Sequence, residues 1–198
     1  LEDRLYRSPA ALQRLRMLGF ETPPPPLSSA ARLRVLRDAA RALHYLHTRS
    51  PMILHRDVSA GNILLDERRN GYLADVGLAR AAEATAGVGG QAVSHLSTQR
   101  IFGKPGYMDP IITQDGQASV LTDGSALGIT LLVSLTGRGA LGLLNACDDA
   151  LEEPDTAEAI AAADAGWSPA QAEELARLVV GLALVRKKRR MPLAEALP

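Results

Sequence analysis

The sequence has a single cysteine, Cys147, so it can build neither an internal disulfide framework nor a thiolate metal site, and a reducing, cytoplasmic setting is the expectation. No apolar run approaches the roughly 18–20 residues that a membrane span requires, and Leu1-Glu2-Asp3-Arg4 lacks the pattern of a signal peptide. An excess of either charge is missing as well. The 22 basic and 22 acidic side chains cancel, which leaves nothing global to attract nucleic acid or an anionic membrane surface. No internal repeat is present. What remains is a chain of 198 residues, 46% hydrophobic and 22% charged, the composition of one globular domain long enough to bury a core.

Lysine is scarce too, with only Lys104, Lys187 and Lys188. The charges that are present are unevenly spread. Residues 148–174 hold nine acids and no base, while Arg186-Lys187-Lys188-Arg189-Arg190 is a basic run, and both read as solvated surfaces. Apolar spacing gives the organisation. Leu1, Leu5, Leu12, Leu15 and Leu18 predict short one-faced helices, which Pro23-Pro24-Pro25-Pro26 must end because proline has no amide hydrogen and a fixed φ. Ser28 or Ser29 can cap a helix carrying Leu33, Leu36, Ala40, Leu43 and His47 on one face. Met52-Ile53-Leu54, Ile63-Leu64-Leu65 and Tyr72-Leu73-Ala74 predict small strands, and residues 81–106 a long surface loop. An almost wholly apolar helix over 125–136 is expected to be buried, and Ser168-Pro169-Ala170-Gln171 is a capping box opening a helix to about Leu184.

Two segments carry chemistry: His55-Arg56-Asp57-Val58-Ser59-Ala60-Gly61-Asn62, and Asp75-Val76-Gly77-Leu78-Ala79-Arg80. With them stand Leu1-Glu2-Asp3-Arg4-Leu5, Ala42-Leu43-His44-Tyr45-Leu46-His47, Gly103-Lys104-Pro105-Gly106-Tyr107-Met108-Asp109-Pro110, Thr122-Asp123-Gly124-Ser125-Ala126-Leu127-Gly128 and Arg190-Met191-Pro192-Leu193-Ala194-Glu195-Ala196-Leu197. In this order, over nearly the whole chain, they resemble the large, C-terminal lobe of eukaryotic protein kinases. The likeness is closest to serine/threonine kinases of the receptor-like and interleukin-receptor-associated type. The resemblance implies a mainly α (α+β) kinase-like fold over residues 1–198, with short β-hairpins around the catalytic loop and the N-terminal lobe missing.

Phosphoryl transfer needs positioning and charge neutralisation more than covalent help, commonly through magnesium held by oxygen ligands. By resemblance, Asp75 binds the Mg2+ that bridges the phosphates of ATP, Asn62 binds a second ion, and Asp57 accepts or orients the substrate hydroxyl proton. Arg56 would pair with a phosphate on the long loop, where Thr85, Ser94, Ser97 and Thr98 are candidate acceptors. Asp123 resembles the aspartate that hydrogen-bonds the catalytic-loop backbone. His55 reads as a structural histidine, and Gly77 completes the motif around Asp75.

The pattern also breaks. No lysine precedes Lys104 and no Gly-x-Gly-x-x-Gly precedes Asp57, so the phosphate-anchoring small lobe is absent. Either the sequence is a fragment of a longer kinase, which a start at a post-hinge segment without Met favours, or the small lobe has been lost, and weak ATP binding on its own is expected. Val76 stands in place of phenylalanine, an expected loss of core packing. Ile111 replaces the glutamate that would pair with Arg190, which leaves Arg190 in need of another partner. Ser59 occupies the catalytic-loop lysine position and Lys104 that of its threonine partner. This exchange predicts that Lys104 reaches toward Asp57 and Ser59 to restore a positive charge near the transferred phosphoryl group. The expected function is a protein serine/threonine kinase acting on a protein substrate, in the cytoplasm or as the cytosolic part of a membrane receptor. The alternative is a catalytically impaired pseudokinase serving as a binding scaffold. Small-molecule phosphotransferases share the His-x-Asp-x-x-x-x-Asn pattern, but residues 75–80 and the peptide-seating segment argue against them.

Overall fold

A computed structural model of the chain describes residues 1–82, 85–86, 92–93, 96–97, 103–109, 117–184 and 190–196. It opens with α1 (Glu2–Tyr6) and α2 (Pro9–Met17), the latter capped by the Ser8 hydroxyl, which accepts from the Ala11 N–H. The proline run then crosses the surface as an extended connector. Its carbonyls are met by arginines of the first helix and its cap: Arg4 donates to Pro25 at 2.9 Å and Arg7 to Pro24 at 2.6 Å. Ser28 caps α3 (Ser29–His47) by accepting from Ala31 N–H, and that helix buries Val35, Leu36, Ala39, Ala40 and Leu43 at three- and four-residue steps.

After α3 come the pieces that shape the site. Strand β1 (Met52–Leu54) pairs antiparallel with β4 (Arg80–Ala82), while β2 (Ile63–Leu65) and β3 (Gly71–Leu73) form a hairpin in register Ile63 to Leu73. Asp38 of α3 accepts from the Gly71 N–H, and so fixes the hairpin against the helix. A 3-10 turn over Ala60–Asn62 leads into β2, and another over Val76–Leu78 follows Asp75. Strands also occur within the expected loop, where β5 (Thr85–Ala86) pairs with β6 (Ala92–Val93), and β7 (Leu96–Ser97) pairs with β8 (Gln117–Ala118) beyond it. They escape a reading of side chains because two-residue ladders rest on backbone hydrogen bonds that Ala, Ser and Thr make as readily as branched residues do.

The core is helical. Helix α4 (Val120–Thr136) is buried at every position from Thr122 to Thr136 and starts five residues before the expected helix. The difference lies in Ser119, whose capping box with Thr122 draws polar residues into the first turn. Short helices α5 (Leu143–Ala146) and α6 (Asp148–Glu152) and a 3-10 segment (Pro154–Ile160) lead to α7 (Pro169–Ala183), and α8 (Leu193–Ala196) ends the described chain. Leu132, Leu135, Val179 and Leu182 join the main apolar cluster with Leu143, Leu151 and Trp167. The acidic region is anchored there by Arg32, fully buried, which donates to the carbonyls of Leu27 (2.9 Å) and Ser134 (2.8 Å) and pairs with Asp164 at 3.1 Å. Burial pulls the Arg32 guanidinium below its ordinary pKa, with Asp164 opposing. Mainly α with small two-stranded pairs is therefore the observed class, and no described helix is long and apolar enough to cross a membrane.

Ser168 caps α7 with a reciprocal box to Gln171. Ser168→Ala is expected to cost about 1 kcal/mol, read as a melting temperature lower by about 2–4 °C, because one N-terminal N–H of a core helix loses its acceptor.

Candidate active site

Helix α4 organises the segment between β1 and β2. The Asp123 carboxylate accepts from the backbone N–H groups of His55 and Arg56, each at 2.8 Å, and from His47 Nε2 at 2.9 Å. This clamp holds Arg56 in the left-handed region (φ 70°), a conformation that a side chain with a Cβ adopts only when its surroundings impose it. His55 is fully buried, with Nε2 donating to the Ala74 carbonyl (3.1 Å) and Nδ1 accepting from the Asp57 N–H (3.3 Å). Both ring nitrogens are thus committed to backbone, which leaves none for proton transfer.

Asn62 and Asp57 are bound together. The Asn62 Nδ2 donates to the Asp57 carbonyl at 2.7 Å and to Asp57 Oδ2 at 2.8 Å. Asp57 Oδ1 is buried and has no hydrogen-bond donor among the described residues, so one carboxylate oxygen remains to accept a proton. Asp75 follows Ala74, whose N–H donates to the Asn62 carbonyl at 2.8 Å and whose carbonyl accepts from His55. Backbone hydrogen bonds therefore carry Asp75 to the edge of the same loop. It sits there with φ 62° and an exposed carboxylate, a left-handed conformation that aspartate tolerates better than most residues. A Cβ added at Gly77 would stand 3.3 Å from Asp75 Oδ1, so glycine leaves that oxygen room. The exposed Asp75 carboxylate fits a magnesium ion that takes its remaining oxygens from phosphates and water. Asn62 is differently placed.

Lys104 explains the difference. Its ammonium donates to Ser59 Oγ at 3.0 Å and to Asn62 Oδ1 at 2.5 Å, and among the described residues it reaches Asp57 only through Asn62. Ser59 is fully buried beneath this ammonium. The space over Gly61 is filled from the far side. A Cβ there would meet Glu2 Oε2 at 2.6 Å and Lys104 Nζ at 3.0 Å, so the ammonium and a carboxylate flank the glycine. Lys104 and Asp57 also line one small cleft of about 20 Å3 with Asp109 and Asp123.

The remaining expected residues fall out as follows. Arg56 donates to the Leu78 carbonyl at 3.3 Å, and burial, followed by the nearby Arg80, holds its guanidinium below the ordinary pKa while Asp123 opposes. Thr85 and Ser97 lie on β5 and β7, whereas Ser94, Thr98 and Ile111 fall outside the described residues. Two expectations need correction. Val76 is 59% exposed rather than in a core, because the 3-10 turn that carries it buries none of its residues. Arg190 is buried, not part of a solvated basic surface, since it forms a two-pronged ion pair with Asp109, itself 1% exposed. Asp109 is the partner that sequence reasoning missed, a carboxylate two positions before Ile111. His47 and Glu2 were missed as well. His47 was read only as a helix-face residue and Glu2 only as part of the opening motif, while the structure joins His47 to Asp123 across 76 residues and sets the Glu2 carboxylate over the bare Cα of Gly61.

The structure thus brings together an aspartate with an unshared oxygen and an asparagine bound to it, with an exposed aspartate at the edge of the same loop. Residues 24–198 match the protein kinase domain family, and the chain belongs to that family. It is of the receptor-like and interleukin-receptor-associated type. Interleukin-1 receptor-associated kinase 1 of Bos taurus is 37% identical over 141 residues, 71% of this chain and 18% of that protein. U-box domain-containing protein 51 of Arabidopsis thaliana is 32% identical over 209 residues, covering 100% of this chain and 24% of its own length. A probable serine/threonine-protein kinase of the same plant, PBL11, is 42% identical over 116 residues, 59% of this chain and 28% of the relative. The chain spans less than a third of each of these relatives.

Proposed function

We propose that residues 1–198 are the catalytic C-terminal lobe of a serine/threonine protein kinase, which transfers the γ-phosphate of ATP to a hydroxyl of a protein substrate. The observation that carries this reading is Asp57 Oδ1, buried, without a donor, on a loop that Asp123 and Asn62 hold rigid. In this role Asp57 takes the hydroxyl proton while the hydroxyl oxygen bonds to the γ-phosphorus and the bond to the ADP oxygen breaks. Asp75 would hold a magnesium ion, which supplies neutralisation of phosphate charge. Lys104, anchored on Ser59 and Asn62, would bring a positive charge to Ser59, the position at which the family has its loop lysine, and reach Asp57 through Asn62. Arg56, by resemblance, would pair with a phosphate on Thr85, Ser94, Ser97 or Thr98. The glycine-rich lobe with its own lysine would be supplied by sequence outside these residues, consistent with the relatives' greater length. A cytoplasmic setting, free or below a receptor, accords with the single buried cysteine.

A scaffold without activity is favoured by one observation, the engagement of Asn62 Oδ1 by Lys104. Transfer of labelled phosphate from ATP to a generic protein substrate by the complete gene product separates the two. The kinase reading expects transfer that Asp75→Ala reduces to background, and equal transfer by wild type and Asp75→Ala overturns it.

A further inference from the structure

The Asn62 side-chain amide has a fixed orientation. Both Nδ2 hydrogens are used on Asp57, one on the carbonyl and one on the carboxylate. Turning the amide over would set an NH2 against the Lys104 ammonium, and a lysine ammonium can only donate. Oδ1 is therefore the one oxygen that Asn62 can offer to a cation, and it already accepts from Lys104 at 2.5 Å. The ammonium is held from one further side, by Ser59 Oγ at 3.0 Å. A divalent ion bound to the same oxygen at about 2.0–2.1 Å would sit almost against this charge, with no anion between them.

We infer that Lys104 is a tethered monovalent substitute for the second metal ion, so that the site works with one divalent cation, on Asp75, and that Asn62 is not a metal ligand in this protein. The residues at Asn62 do not fit the second ion that the resemblance implies, and the disagreement has a specific cause. The lysine of the catalytic loop has moved to position 104, and its approach over a glycine brings it to Asn62 rather than to Asp57 directly. The inference rests on the kinase reading for the nucleotide and for the ion at Asp75. It goes beyond that reading in setting the number of ions and in assigning Asn62 a purely positioning part toward Asp57.

The test counts Mn2+ by electron paramagnetic resonance in the complete gene product with a non-hydrolysable ATP analogue. The wild type is expected to bind one ion per protein–nucleotide complex. Lys104→Thr is expected to bind two, and Lys104→Thr with Asn62→Ala to return to one. Lys104→Met, which keeps the stem and removes the charge, repeats the gain in a variant that preserves packing. Two ions in the wild type, or one ion in both Lys104 variants, would overturn the inference and leave the kinase reading standing. If Asp75→Ala binds as many ions as the wild type, the kinase reading fails and the inference with it.

Discussion

Asp57→Asn is expected to lower the rate of phosphate transfer by about 10²- to 10⁴-fold, the usual range for loss of a positioned proton acceptor, without a comparable loss of stability. The two halves of this expectation come from different atoms. The new amide can still present an oxygen to Asn62 Nδ2, where Asp57 Oδ2 now accepts at 2.8 Å, so the loop keeps its shape. What is lost is the capacity of the buried, donor-free Oδ1 to hold a proton. Initial-rate kinetics beside thermal unfolding separate the effects. An unchanged rate would remove Asp57 from the chemistry, and a loss of stability matching the loss of rate would reduce it to a structural residue.

The largest stability effect is expected at Asp109. Asp109→Ala leaves the Arg190 guanidinium buried with its two-pronged partner gone, a loss of about 3–5 kcal/mol, or about 6–20 °C in melting temperature for a domain of this size. Removing both charges with apolar residues of similar volume should cost much less, because most of the penalty belongs to the unpaired charge and not to the pair itself. Differential scanning calorimetry of the single and double variants checks this. A single variant that melts with the wild type would show that Arg190 reaches water or another acceptor. Asp109 lines the same small cleft as Lys104, so the single variant should also disturb Lys104, five residues away on the same short stretch.

Local signals made much of the fold legible. Ser28 and Ser168 mark the starts of α3 and α7, and the apolar steps along each helix predict which face is buried. The start of α4 was legible from the motif around Asp123 but not from the apolar pattern, which begins only at residue 125, because Ser119 and the catalytic-loop amides are what use the polar first turn. At the site, residue types and order pointed to Asp57, Asn62 and Asp75, and the swap of Ser59 and Lys104 pointed to a contact between them. That the ammonium would stop at Asn62 was not legible. It depends on the depth of Ser59 and the bare Cα of Gly61, which a lysine more than 40 residues further along the chain has to approach. The Asp109–Arg190 pair was hidden for the same reason. Its partners stand 81 residues apart, and the family pattern drew the eye to position 111 instead. Val76 misled because its residue type signals burial, while burial depends on what packs against it.

The central claim is met most directly by a crystal structure of the complete gene product with a non-hydrolysable ATP analogue and Mg2+. The account predicts a metal ion on the Asp75 carboxylate bridging phosphate oxygens, with Asp57 Oδ1 facing the γ-phosphate and Lys104 still on Asn62. Nucleotide phosphates bound away from Asp57, or a metal ion that leaves Asp75 without contact, would contradict it.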